Sequence, residues 1–311
     1  NATEWTPLSE SLYEATRYFA QVAPAYANSN YPNNNQNDDP YYYRSPWASP
    51  DQYVKCCKSF VIIFTDGQPT YDTSVPSTVY DYAHSTGAHA LINVNGPGHC
   101  DTPAGCTVPH SNAIHSNHGG GLTDHSAGAS QVDHHDNCSS YYGGLNADSC
   151  VSNGSHYLDD VAYWAHTADL RPCNGAANGT IAGINETGKC LDGNQNLIIY
   201  TFYAFGTGAN ILKDAAKFGG FEDRNNNNAF DPAVDVFDRV NNYTRAAGAD
   251  GLPDTYFESA NADDMRDKLV STINSILARS ASGTSASVLA NSSTGEGSLY
   301  QAYFFPKSIE N

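Results

Sequence analysis

Residues 59–65, Ser-Phe-Val-Ile-Ile-Phe-Thr, form an unbroken apolar run that stops abruptly at Asp66-Gly67-Gln68-Pro69-Thr70. A half-solvated strand alternates apolar and polar side chains. A run that is apolar at successive positions must instead be covered on both faces, as in a parallel sheet between helices. Residues 197–205, Leu-Ile-Ile-Tyr-Thr-Phe-Tyr-Ala-Phe, repeat the pattern and end at Gly206-Thr207-Gly208. Residues 88–93 read as a short strand, 255–258 as a short edge strand, and Leu299 to Phe305 as a strand-like close.

Helical periodicity fills the intervals. Residues 6–23 read as a helix with Thr6 as N-cap and Pro7 at the first helical position, and Leu8, Leu12, Ala15 and Phe19 on one stripe. Residues 157–170 place Leu158, Val161, Ala162 and Ala165 on one face, with Pro172 as the stop. A short helix is expected over 209–218, ended by Gly219-Gly220, and a longer one over 262–279 with Met265, Leu269, Ile273 and Ile276 aligned. The order is helix, strand, insertion, helix, strand, helix, strand, helix. That alternation predicts an α/β fold with a doubly wound, mostly parallel, Rossmann-like sheet. Ligands of such sheets sit at the carboxyl ends of the strands, which is where Asp66 stands.

Two stretches break the pattern. Residues 24–55 are rich in Asn, Pro and Tyr and read as a surface loop. Residues 94–157 form a long insertion rich in Gly, Ser, Asn, His and Cys, without helical or strand period. A loop of that length in a compact domain is expected to be functional or stapled. The eight cysteines supply staples: Cys100 with Cys106, Cys138 with Cys150 and Cys173 with Cys190 lie close in sequence, while Cys56 and Cys57 are adjacent. This pattern predicts disulfides and an oxidising, extracellular compartment. The alternative is a Cys/His zinc site, which no CxxC spacing supports. His110, His115, His118, His125, His134 and His135 read first as a solvated polar loop, and second as ligands for Zn²⁺ or Cu²⁺.

Charge excludes several partners. Asp and Glu outnumber Lys and Arg by 33 to 15, for a net charge of −18. Nucleic acid and anionic membranes both require a cationic surface. No apolar stretch approaches the roughly 20 residues that span a bilayer.

Hard cations suit an acidic chain better. In Asp223-Arg-Asn225-Asn-Asn227-Asn-Ala229-Phe-Asp231, oxygen side chains fall at positions 1, 3, 5 and 9, and Ala229 offers its carbonyl at position 7. That is the first part of an EF-hand-like calcium loop. Position 6 is Asn228 instead of Gly, and Asn tolerates the left-handed conformation required there. Position 12 holds no Glu; Asp235, one residue further, is the expected substitute. The alternative is an Asn-rich turn in an Asn-rich chain.

The strand ending in Asp66-Gly67, preceded by the helix start Thr6-Pro7-Leu8, resembles the second half of a von Willebrand factor A (vWA) domain. More specific segments resemble the PilY family of type IV pilus tip adhesins and biogenesis factors. These are Cys57 to Thr70, Tyr157 to Tyr163 with Asp169-Leu-Arg-Pro172, Leu212 to Gly220, and Leu252 to Phe257, followed by the closing helix into Ser280 to Ser285. The resemblance implies a vWA-like domain over 1–311, with 94–157 as an insertion and 280–311 as a linker and terminal strand. It implies that Thr6 and Asp66 are the threonine and aspartate of a metal-ion-dependent adhesion site, with magnesium as its ion beside the calcium of the 223–235 loop.

One motif of that family is missing. No Asp-x-Ser-x-Ser follows an apolar strand; Asp72-Thr-Ser74 and Asp124-His-Ser126 lack the spacing and the strand. The resemblance therefore implies a partial domain whose N-terminal half lies upstream or on another polypeptide. The function it implies is a non-enzymatic, extracellular, metal-dependent adhesion module at the pilus tip. Its implied partners are minor pilins and a host or abiotic surface ligand. The alternatives are a structural subunit of an extracellular filament and a secreted metal-binding hydrolase. The last lacks HExxH and GxSxG.

Overall fold

The computed structural model describes residues 6–26, 31, 38–43, 52–54, 58–67, 69–72, 74–76, 78–79, 82, 157–173, 190–206, 210–231, 233–244 and 246–281. In chain order the elements are α1 (Leu8–Ala20), β1 (Tyr42–Tyr43), β2 (Gln52–Tyr53), β3 (Ser59–Thr65), α2 (Tyr157–Thr167), β4 (Leu197–Ala204), α3 (Asn210–Gly220), β5 (Tyr256–Ser259) and α4 (Ala262–Ala281). The sheet is parallel and three-stranded, in the order β3-β4-β5. Its register runs from Ser59 opposite Leu197 to Thr65 opposite Tyr203, and from Thr201 opposite Tyr256 to Ala204 opposite Ser259. Four helices and this sheet make an α/β unit. The expected strand at 88–93, the insertion from 94 to 156, and residues 282–311 lie outside the described residues.

Each face of β4 feeds a separate apolar cluster, which is why that strand is apolar at successive positions. Leu197 and Ile199 pack with Leu12, Tyr13, Trp164, Leu212 and Phe218 from the first three helices. Tyr200, Phe202 and Ala204 face the other way, with Phe257 and, from α4, Met265, Leu269 and Ile276. The Tyr13 and Trp164 rings meet at 6.0 Å where α1 crosses α2. Every side chain of α2 is buried, including Asp159 and Asp160, so the single apolar face expected for this helix is a fully enclosed helix instead. Desolvation, followed by the neighbouring Asp160 and Asp214 carboxylates, pushes Asp159 well above the usual carboxylate range.

Several sequence expectations are corrected. β3 is not central among the described residues: it pairs with β4 only, and Ile62 and Phe64 are 40% and 48% exposed. Ile273, placed on the inner stripe of α4, is 50% exposed, because the helix turns Met265, Leu269 and Ile276, at i, i+4 and i+11, toward the sheet, where they are half-buried. α2 ends at Thr167, before Pro172. Within the 24–55 loop, Tyr42 pairs antiparallel with Tyr53. Gly219 and Gly220 do not stop α3 but form its last turn. A Cβ on Gly219 would lie 2.6 Å from the Ile199 Cβ, and one on Gly220 would collide with the Thr255 side chain. The pair is there for close helix–sheet approach.

A buried ion pair fixes the segment before β3. Arg171 Nη2 contacts Asp39 Oδ2 at 2.8 Å, and Arg171 Nε donates to the Phe19 carbonyl at 2.8 Å. A disulfide joins Cys173 to Cys190, as expected, with Cα atoms 4.8 Å apart. Cys56, Cys57, Cys100, Cys106, Cys138 and Cys150 lie outside the described residues. No described helix is long and apolar enough to cross a membrane.

Candidate functional site

The carboxyl end of β3 delivers Asp66 to the surface, where it is exposed. The turn that follows is fixed by Thr65, whose Oγ1 accepts the Gly67 N–H and donates to the Gly67 carbonyl, both at 3.1 Å. Thr6 is held beside this turn by a reciprocal pair. Its N–H donates to Thr70 Oγ1 at 2.8 Å, and its carbonyl accepts the Thr70 N–H at 3.0 Å. A Cβ placed on Gly67 would stand 3.8 Å from Thr6 Oγ1. The threonine hydroxyl and the Asp66-Gly67 turn therefore share one surface at the strand end.

The helix cap is not where the sequence suggests. Pro7, not Thr6, is the N-cap residue of α1, and no side chain at that position caps the helix. Asp72 does so from a distant loop. Its Oδ2 accepts the Ser9 N–H at 3.0 Å and the Ser9 Oγ–H at 2.6 Å, and its Oδ1 accepts the Glu10 N–H at 3.0 Å. This satisfies the donors that a helix start leaves open and sets a carboxylate against its positive end. Thr6 is thereby freed from capping, and its hydroxyl faces the turn. Burial pushes the Asp72 carboxyl up to about 7, against the pull of its three donors.

The second site begins where α3 ends. Glu222 and Val236 bridge antiparallel, closing the base of a loop that contains all six expected ligand residues. Asp223 Oδ1 and Oδ2 accept the N–H groups of Asn227 (3.3 Å) and Asn228 (2.8 Å). Asn225 Oδ1 accepts from Asn227 at 3.2 Å, and Asn227 Oδ1 from Ala229 at 2.9 Å. Asp235 joins both ends: its Oδ1 accepts the Arg224 N–H at 2.9 Å and its Oδ2 the Asp231 N–H at 2.7 Å. Asp231 Oδ1 accepts the Ala233 N–H at 2.9 Å. Asn226 and Asn228 are left-handed, at φ 56° and 57°. Phe230 anchors the loop, with ring centroids 5.4 Å from Phe218 and 5.1 Å from Phe221.

The donor set fits calcium in kind: three carboxylates, two amide oxygens and the Ala229 carbonyl are hard oxygen ligands. Among the described residues, however, no three His, Cys, Asp or Glu side chains converge to hold a metal ion. The carboxylates of Asp223 and Asp235 are instead engaged by backbone N–H groups of the loop itself. The six histidines of the insertion lie outside the described residues.

A second acidic loop escaped the sequence reading. Asp238 Oδ1 and Oδ2 accept the N–H groups of Asp250 (3.0 Å) and Gly251 (2.8 Å), while Asp254 Oδ1 accepts those of Arg239 (3.0 Å) and Val240 (3.1 Å). Asp250 Oδ2 accepts the Asn242 N–H at 3.0 Å. The spacing Asp250-Gly-Leu-Pro-Asp254 was the available signal.

Opposite the Asp66 end, a cavity of about 590 Å³ opens between the amino ends of β3 and β4 and the Asn-rich loop. One of its walls contains His166, which is buried with Nδ1 at 2.8 Å from the Leu197 carbonyl and Nε2 at 2.9 Å from the Phe221 carbonyl. Burial pushes this imidazole below its usual range, while the two carbonyls oppose the shift.

Part of the chain matches a known family. The model described as "PilY1 homolog, second domain" matches residues 1–165, more than half of the chain. That span includes α1, β3, Thr6, Asp66 and Asp72, but not the 223–235 loop. No curated protein and no solved structure matches the chain.

Proposed function

The chain belongs to the PilY1-related family, and on that premise we propose that it is an extracellular, non-catalytic adhesion module of the type IV pilus, working at the pilus tip through a shared metal ion. The observation that supports this reading is the placement of the Thr6 hydroxyl beside the Asp66-Gly67 turn at the exposed end of a parallel strand. In a vWA-like arrangement, these oxygens are two of the protein ligands to a magnesium ion. The bound ion supplies a positive centre that a carboxylate of the target completes. Thr6 and Asp66 orient that centre, Thr70 fixes the Thr6 backbone, and Asp72 fixes the helix that carries it.

The proposed site is completed by a further strand, supplied upstream in a longer protein or by another polypeptide. A strand ending in Asp-x-Ser-x-Ser would pair with the side of β3 that has no strand among the described residues. It would cover Ile62 and Phe64, whose exposure otherwise leaves apolar surface in water. In this reading the 223–235 loop is a structural calcium site that holds the segment between α3 and β5. Its bonds to Asp223 and Asp235 order the loop without the ion, so calcium would exchange those N–H contacts for its own.

The test is attachment of pili carrying the full-length protein to a surface, measured with EDTA and after Mg²⁺ is restored. Adhesion that EDTA abolishes, that Mg²⁺ restores and that Asp66→Ala removes supports the reading. Attachment indifferent to EDTA and to Asp66→Ala assigns the chain to a scaffold role instead.

A further inference from the structure

The polar cavity at the amino ends of β3 and β4 has no part in that adhesion site, from which it is separated by the length of a seven-residue strand, roughly 20 Å. Its charge is unusual for this molecule. Lys58 before β3, Arg239 beyond the Asn-rich loop and Arg279 near the end of α4 converge on it from distant parts of the sequence. They are three of only 15 Lys and Arg residues in a chain of net charge −18. Two carboxylates share the wall with these three cations, and the Lys58 ammonium, which also donates to the Arg279 carbonyl at 3.1 Å, stands at its exposed rim. Glu222 pairs with Arg239, and Asp223 accepts the N–H groups of Asn227 and Asn228. A concave site with a positive excess focuses the field on an incoming anion, even where the rest of the surface repels it.

The remaining lining selects among anions. Asn194, Asn196, Asn226 and Asn228 supply amides, with one N–H of Asn194 held by Asn228 and one of Asn196 by the His166 carbonyl, and Phe221 and Ile198 supply a small apolar floor. Amide pairs match vicinal hydroxyl groups, which donate and accept at once. Cationic side chains match a carboxylate. The volume falls within the range of small-ligand pockets, about 300–1,000 Å³. We propose that this cavity binds an acidic sugar, a monosaccharide bearing a carboxylate, as a second recognition site of the module. Asn194 Nδ2 donates to Asn228 Oδ1 at 2.7 Å, which ties the start of β4 to the Asn-rich loop. The loop is thus one wall of the cavity, and its order sets the wall.

The experiment titrates the full chain, in calcium-containing low-salt buffer at pH 7, with D-glucuronate, D-glucose and inorganic phosphate, following affinity by calorimetry and location by NMR shift mapping. Glucuronate binds at least tenfold more tightly than glucose or phosphate, and shifts concentrate at Asn194, Asn196 and Phe221. The variant Lys58→Gln/Asn194→Ala changes two exposed residues outside the buried core, so its circular dichroism stays that of the parent while glucuronate affinity falls at least tenfold. Absence of glucuronate binding overturns the proposal. So does equal binding of phosphate, which would mark a general anion site, or an affinity untouched by the double variant. The outcome is independent of the adhesion reading, because neither Thr6 nor Asp66 contributes.

Discussion

Asp72 and Ser9 stand 63 residues apart in sequence, yet a single carboxylate oxygen of Asp72 receives both the backbone N–H and the hydroxyl of Ser9. That contact fastens the start of α1 to the loop following β3, and so holds Thr6 against the Asp66-Gly67 turn.

Removing the contact should loosen both. Asp72→Ala deletes a helix cap worth about 0.5–2 kcal/mol and leaves buried N–H groups unpaired, so a loss of about 2–3 kcal/mol in urea unfolding is expected. The pH dependence has a definite sign. The folded carboxyl titrates at about 7 and the ordinary one at 3.8. Between those values the folded state holds a proton that the unfolded state has released. Stability from this group is therefore full below about pH 4 and declines as pH rises to about 7. In Asp72→Asn that part of the slope disappears. An unchanged pH profile in the variant would show that Asp72 titrates alike in the folded and unfolded states.

Gly219→Ala tests why the glycine pair closes α3. The added methyl would meet Ile199 Cβ at 2.6 Å, so the helix must move off the sheet. Overpacking of this kind costs about 1–3 kcal/mol, whereas a glycine serving only as an exposed helix stop would tolerate alanine. The midpoint of chemical denaturation decides between them.

These two positions show what was legible in the sequence. β3 and β4 were readable to within a residue, because β-branched and aromatic runs bounded by Gly and Asp leave few alternatives. The staple between Cys173 and Cys190 was readable from proximity. The left-handed turn at Asn228 followed from the loop register, and Asp235 does fasten the loop although it is one position late. What failed was long-range. Thr6 looked like a cap because local pattern carries no trace of Asp72, and Gly219-Gly220 looked like a terminator because its contacts come from β4 and β5. Ile273 was placed inside by period alone, but the side of α4 that is covered depends on which strands lie beneath it.

Calcium should act on the 223–235 loop as a stabilising ligand. At one hundred times its Kd, an ion that binds only the folded state adds about 2.7 kcal/mol. Scanning calorimetry should show Tm rising with Ca²⁺ in the parent, and no rise in Asp223→Asn/Asp235→Asn. A Tm indifferent to Ca²⁺ up to millimolar concentration would leave the loop as an Asn-rich turn closed by its own N–H groups.

The pairing of Thr6 with Asp66 at one ion is the claim on which the adhesion reading depends, and paramagnetic broadening by Mn²⁺ tests it most directly. The full-length protein, including the strand that completes the site, is first saturated with Ca²⁺ to fill the acidic loops, and Mn²⁺ is then added while amide signals are followed. The account predicts that Thr6, Asp66 and Gly67 broaden first and together, and that Asp66→Ala abolishes the effect at all three. Broadening confined to the 223–235 and 238–254 loops, with Thr6 and Gly67 untouched, would contradict it.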